Sequence, residues 1–157
     1  MKFEFRSGNH IATISGTALD IGYDAALSAK QAYLVGRSGY IGSDIVVKFL
    51  RKQVNLIPFF RWKTAILDDT LAQFAQQIDV PMQNALFRYE NGKVTSFKAS
   101  HDGKRVNMYE TKKRFVTALL AADGEKQPLI SIEVPVDTIK PSIATGNVNG
   151  FGIKELI

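Results

Sequence analysis

The sequence has no cysteine and only two histidines, His10 and His101. The first absence removes thiol nucleophiles, disulfides, iron–sulfur clusters and thiolate zinc sites together. It leaves the compartment open, because exported proteins need not carry disulfides. With so few imidazoles there is no cluster at metal-ligand spacing, and a serine nucleophile has almost no base to draw on. Long apolar runs are missing too. The run Leu56-Ile57-Pro58-Phe59-Phe60 is short, against the roughly 20 residues that cross a bilayer. The start, Met1-Lys2-Phe3-Glu4-Phe5-Arg6, alternates charge with aromatics and has no apolar signal core, so the chain as written carries no export signal.

What remains is an ordinary globular composition of 157 residues, 45% hydrophobic and 22% charged. That length fits one domain, and a chain of this size buries about 68–70% of its unfolded surface, enough for a core without staples. The net charge of +5 tilts the partner list toward anions. The basic groups Lys48-Arg51-Lys52 and Lys112-Lys113-Arg114 are small and read as solvated helix faces, so no nucleic acid is expected.

Phe3–Arg6 and His10–Ile14 read as short strands closed by Gly8 and Gly16. Asp24 caps a helix over residues 25–35 that stops at Gly36, with a small-residue stripe of Ala26, Ala29 and Tyr33. Ser43 caps a second helix, or a β-branched strand, over Ile45–Lys52. Val54–Trp62 is an extended run, edge or bulged because of Pro58. Asp68 or Asp69 caps a helix carrying Leu71, Phe74, Ala75 and Ile78. Asn91-Gly92 turns a hairpin between residues 84–89 and 93–98, and Asp102-Gly103 turns the chain again. Met108–Ala122 is a helix with Met108, Phe115, Leu119 and Ala122 on one face, ended by Asp123-Gly124. Leu129–Val134 alternates as a half-buried strand, and Pro141–Ile157 is a connector with a short turn or strand at Ile153–Ile157.

This order is not a regular strand–helix alternation, so the fold class is α+β, mixed helices and short antiparallel strands with hairpins. Gly16-Thr17-Ala18-Leu19-Asp20 and Gly103-Lys104-Arg105-Val106-Asn107 each precede a helix and then a strand, at residues 54 and 129, which hints at a duplicated turn–helix–strand unit.

The search for chemistry returns little. No Gly-x-Ser-x-Gly elbow occurs, and Ser100-His101-Asp102-Gly103 reads as a turn, not a triad fragment. His10 reads as a packed or surface imidazole. Gly36-Arg37-Ser38-Gly39-Tyr40-Ile41-Gly42 follows a helix, where a dinucleotide fingerprint must follow a strand. The carboxylates Asp68 and Asp69 are accounted for by capping. The aromatics could stack on sugar rings: Phe59 or Phe60 is expected in the core, whereas Trp62, between Arg61 and Lys63, is expected at the surface.

The run Ala12-Thr13-Ile14, Gly22-Tyr23-Asp24 and Ala32-Tyr33-Leu34-Val35-Gly36-Arg37-Ser38-Gly39 is followed by Leu67-Asp68-Asp69-Thr70-Leu71 and by Ile78-Asp79-Val80-Pro81-Met82-Gln83-Asn84-Ala85. Gly103-Lys104-Arg105-Val106-Asn107, Val134-Pro135 and Lys140-Pro141-Ser142-Ile143 come after these. In order and spacing, over about residues 10–145, this resembles the peptidoglycan-binding domain of VanW-type and YoaR-like cell-envelope proteins. The same domain stands ahead of the catalytic domain in some L,D-transpeptidases.

The resemblance implies an extracytoplasmic, non-catalytic module of the bacterial cell envelope, without cofactor or metal. Such modules are usually tethered by an N-terminal transmembrane helix, often in tandem, with neighbouring domains of the same polypeptide as partners. Residues 1–145 would be that module, and 146–157 the connector toward a VanW-like domain. The anchor and that domain are absent from this chain, as in an excised or truncated member, and any membrane association would run through the missing anchor. The missing cysteine means that the chain is not itself the transpeptidase.

The expected function is a cell-wall-associated binding or spacer module, not an enzyme, with peptidoglycan or an associated anionic polymer as ligand. The alternative is a structural or protein-interaction domain without glycan affinity that positions its neighbour. The resemblance assigns no binding residues. Arg37, Tyr40, Arg61 and Trp62 are the candidates, because they pair a guanidinium with an aromatic in a loop or at a strand end.

Overall fold

The computed structural model describes residues 1–35, 37, 56–90, 93–122 and 128–148. They form an α+β arrangement of helices and small sheets that divides into two units, Met1–Ser15 with Asp68–Ile157, and Gly16–Leu67.

In the first unit, β1 (Lys2–Ser7) and β2 (His10–Ser15) pair antiparallel, with Ser7 opposite His10. Gly8 has φ 56° and Asn9 no positive φ, the pattern of a type II′ turn, in which glycine takes the first central position. β8 (Leu129–Glu133) joins the other edge of β1 in parallel, giving the order β2-β1-β8. Alternation puts Phe3, Phe5, Ile14, Ile130 and Ile132 in the core.

Against that face lies α3 (Met108–Ala121), which buries Thr111, Phe115 and Leu119. The Phe115 ring centroid stands 4.9 Å from Phe3 and 6.3 Å from Phe5. Such aromatic pairs add about 0.5–1.5 kcal/mol beyond the area they bury. Thr111 fills the place on the expected stripe between Met108 and Phe115. Its hydroxyl donates to the Asn107 carbonyl at 2.7 Å, which makes the burial of a polar residue tolerable. Asn107 is the N-cap, its side chain accepting from the Glu110 N–H.

The helix expected from Asp68 or Asp69 starts earlier, as α2 (Thr64–Ala75), so both carboxylates sit inside it and neither caps it. Leu71, Phe74 and Ala75 are buried as their spacing predicts. After α2 the chain lies along β7 (Gly103–Val106) through two bridges, Val80 with Lys104 and Gln83 with His101. β7 pairs on its other side with β9 (Val136–Ile139), a short strand the sequence pattern did not announce. The expected turn at Asp102-Gly103 is therefore the entry to a strand. Glycine is needed there for close approach: a Cβ on Gly103 would lie 2.6 Å from the Met82 nitrogen and 2.8 Å from the Val80 oxygen.

The predicted hairpin is present as β5 (Leu86–Glu90) and β6 (Lys93–Lys98), with Glu90 opposite Lys93 and an irregularity between Arg88 and Tyr89. Its Asn91-Gly92 turn lies outside the described residues, as do Asp123-Gly124 and residues 149–157. A short helix, α4 (Thr145–Val148), lies near the end of the described residues.

In the second unit, residues 16–20 turn, with Asp20 at φ 54°, and Leu19 is buried. β3 (Gly22–Tyr23) pairs antiparallel with β4 (Phe60–Arg61). Among the described residues of the expected 54–62 strand, Phe60–Arg61 alone pairs; Pro58 brings no N–H for a ladder. α1 (Ala25–Leu34) starts as predicted, with Asp24 accepting from the Leu27 N–H at 2.9 Å. It has no buried residue, and Ala26, Ala29 and Tyr33 are exposed, so the small-residue stripe is not a packing seam. The expected element over Ile45–Lys52 lies outside the described residues.

The hinted duplication does not hold in the register read from Gly16 and Gly103, since residues 16–20 turn and Gly103–Val106 is a strand; what recurs is a strand–Asx–helix unit in a shifted register. Asp24, not Asp20, corresponds to Asn107. Each is an N-cap directly after a short strand, β3 or β7. The cap N–H donates to the residue before the return strand: Asp24 to the Phe59 carbonyl at 2.7 Å, Asn107 to the Pro135 carbonyl at 2.9 Å. The return strands are β4 and β9, so the counterpart of the second copy begins at residue 136 and not at 129.

Candidate functional site

Arg37, Arg61 and Trp62 belong to the second unit, and Tyr40 lies outside the described residues. Arg37 is exposed, with its guanidinium carbon 4.5 Å from the centroid of the Tyr33 ring and one guanidinium nitrogen donating to the Tyr33 carbonyl at 2.9 Å. It thus places positive charge where the dipole of α1 is negative. The stacked pair faces solvent, Tyr33 being 64% exposed.

Arg61 stands in β4 opposite Gly22 and makes no hydrogen bond or ion pair through its side chain among the described residues. Its Nε lies 3.6 Å from where a Cβ on Gly22 would stand, an ordinary contact distance that places the guanidinium chain alongside β3. The next pair of the ladder sets Tyr23 against Phe60, with ring centroids 5.0 Å apart and Tyr23 57% exposed. The cation and the exposed aromatic stand on adjacent rungs, so strand alternation presents Arg61 on one face of the ladder and the Tyr23–Phe60 pair on the other. Among the described residues no hydrogen bond or ring contact joins Arg37 to Arg61.

Trp62 departs from expectation in being half-buried, and of Phe59 and Phe60, one or the other of which is expected in the core, Phe59 is 44% exposed and Phe60 half-buried. Placing Trp62 beside two charges in sequence did not decide its exposure, because the chain leaves the ladder after Arg61 and its side chain turns partly inward. Tyr23, which sequence reasoning passed over, is the more exposed aromatic of this ladder. The signal was its position directly before the cap Asp24, where a strand precedes the helix.

A second concavity lies wholly within the first unit. It has a volume of about 520 Å³ and is bounded by the β1–β2 turn, the segment after α2 and the β7–β9 ladder. His10, Lys104, Asn9 and Gln77 give it polar walls over Ile78 and Val136. Nothing in the periodicity pointed to it, since its walls come from segments distant in sequence.

The motifs behind the family resemblance are spent on structure. Asp79 accepts from the Val106 N–H at 2.7 Å. The Asn84 side-chain oxygen accepts from the Ser142 hydroxyl at 3.1 Å and the Ile143 N–H at 3.2 Å. Gly103 admits the neighbouring backbone, and Asn107 caps α3. The Ser100-His101-Asp102 sequence is also taken apart by its partners. The Ser100 hydroxyl is 3.0 Å from that of Thr145, His101 Nε2 is 3.1 Å from the Pro81 carbonyl, and Asp102 pairs with Lys140. Among the described residues no three His, Cys, Asp or Glu side chains are grouped to hold a metal, and no helix is long and apolar enough to cross a membrane.

Compared with known proteins, residues 12–127 match the family model described as "Putative peptidoglycan binding domain". No curated protein and no solved structure gives a significant match.

Proposed function

The chain belongs to this peptidoglycan binding domain family, and from that premise we propose that it is a non-catalytic module that binds the cell wall through peptidoglycan or its associated anionic polymers. The observation that carries the reading is the family match over residues 12–127. The β3–β4 ladder supports it chemically. On one face exposed Tyr23 offers a flat ring to the apolar side of a sugar, and on the other Arg61, without an ion-pair partner among the described residues, offers donors to a carboxylate or phosphate. Arg37 on Tyr33 is a second such pair, with Tyr40 and Trp62 as further contacts.

In the finer form of the proposal, the module works outside the cytoplasm in an exported, membrane-anchored protein of the VanW or YoaR-like kind, with residues 146–157 leading to a neighbouring domain. A spacer role beside that neighbour has its own support. Leu27, Leu34 and Ile57 of the second unit are exposed large aliphatics, side chains available for protein contact.

Co-sedimentation with purified sacculi, with and without teichoic acids and at low and high salt, separates the two. Salt-resistant binding to stripped sacculi that Arg61→Ala weakens supports the binding module. A chain that stays in the supernatant under every condition overturns it and leaves the spacer reading.

A further inference from the structure

The cleft of the first unit has a one-sided chemistry. Two of its lining residues, His10 and Lys104, are basic, and none is acidic. Most other described cations nearby in sequence are matched: Lys112 with Asp68, Lys113 and Arg114 with Glu110, and Lys140 with Asp102. The Lys104 ammonium has no such partner among the described residues. Its backbone is nevertheless fixed on both sides. Its N–H and carbonyl bond to Val80 at 2.8 and 2.9 Å, and it is registered against Thr138 of β9. His10 is likewise fixed at its backbone by its place opposite Ser7 at the turn.

An exposed lysine on a fixed backbone, without a counter-ion among the described residues and sharing its cleft with Asn9, Gln77 and the apolar Ile78 and Val136, calls for a small anion attached to small apolar groups. We propose that this cleft binds the C-terminal carboxylate of a short peptide with small apolar side chains, with Lys104 as the charge partner and His10 beside it at the rim. The choice of a peptide among carboxylates rests on the cell-wall reading above; the demand for an anion does not.

The test is an NMR titration of the ¹⁵N-labelled full chain with N-acetyl-D-alanyl-D-alanine, its C-terminal amide and inorganic phosphate. The acid is expected to shift the backbone amides of Gly8, Asn9, Val80 and Lys104. Blocking the carboxylate, or Lys104→Gln, is expected to weaken binding about ten-fold or more, the scale of one charge-assisted hydrogen bond. His10→Gln serves as the second variant, with a smaller loss expected.

Equal shifts from acid and amide, shifts outside the cleft, or undiminished binding by Lys104→Gln would refute the assignment. Shifts from phosphate as strong as those from the acid would replace it with a phosphate site. If the acid fails while the chain still sediments with sacculi, the cleft proposal falls and the cell-wall reading stands. If the acid binds and sacculi do not, the reverse holds.

Discussion

Gly103→Ala tests whether the contact between β7 and the segment after α2 is as close as the geometry requires. The added methyl would lie 2.6 Å from the Met82 nitrogen, 2.8 Å from the Val80 oxygen and 3.0 Å from the Met82 Cα. All three are backbone atoms, so no rotamer change relieves the clash. Nor does the segment move freely. Val80 and Lys104 exchange hydrogen bonds of 2.9 and 2.8 Å, and Gln83 and His101 exchange two of 3.0 Å. Making room must lengthen at least the nearer pair. Overpacking of this kind costs about 1–3 kcal/mol, and each weakened bond up to roughly 0.5–1.5 kcal/mol. Alanine returns about 0.4–1 kcal/mol by restricting the unfolded chain. The expected net loss is about 2–3 kcal/mol, or a fall in Tm of roughly 4–12 °C for a chain of this size. Urea and thermal unfolding followed by circular dichroism measure it, and hydrogen exchange at Lys104 and Val80 locates it. A variant within about 0.5 kcal/mol of the parent, with both amides equally protected, would show that the close approach is not a constraint on the fold.

Phe115→Ala removes the ring that Phe3 and Phe5 both touch and should cost about 3–5 kcal/mol in the same unfolding assay. Asn107→Ala removes the cap of a helix that carries core residues, and should lower global stability by about 1 kcal/mol. Asp24→Ala removes an equivalent cap from a helix that buries nothing, so its loss should appear as faster amide exchange within α1 and little change in Tm. Lys112→Ala breaks an ion pair with Asp68 whose two side chains are about two-fifths exposed, and should change stability by less than about 1 kcal/mol.

The elements with their own periodicity were legible in the sequence. Alternation along β1 and β8, the stripe of α3, the Asp24 cap and the 86–98 hairpin follow from side-chain spacing and local hydrogen bonding. What escaped depends on contacts between distant segments. The parallel pairing of β8 on β1 leaves no mark on either strand alone. Gly103 next to Asp102 has the composition of a turn, and only the approach of Met82 and Val80 gives it another purpose. Asp68 and Asp69 look like caps in sequence, but a helix begun at Thr64 absorbs them. Of the four candidate contact residues, Arg61 lies exposed on a strand beside an aromatic pair, while Trp62 turns partly inward. The cleft was invisible because Asn9, Gln77, Lys104 and Val136 meet only in three dimensions.

The two strand–Asx–helix units show how far local chemistry alone determines structure. Counting from the cap, the fourth residue is a hydroxyl in both, Ser28 and Thr111; the eighth is Ala32 or Phe115, and the twelfth Gly36 or Leu119. The cap geometry is the same in each copy, because it needs only an Asx side chain, a preceding strand and a returning carbonyl. The fate of the helix differs. Phe115 and Leu119 load one face of α3 and draw it onto the sheet, and the Thr111 hydroxyl turns back to the Asn107 carbonyl within it. With Ala32 in the place of Phe115, α1 has no side chain large enough to do this. Its Ser28 hydroxyl instead accepts from the Phe59 N–H at 3.1 Å, fastening the helix to the chain that leads into β4. One copy therefore builds a core, and the other holds a cation and an aromatic at a two-rung ladder in solvent. Asp79, Asn84, Gly103 and Asn107 of the quoted motifs serve the scaffold. The contacts proposed above, Arg61 and Lys104, are by contrast exposed side chains whose backbones the two ladders hold.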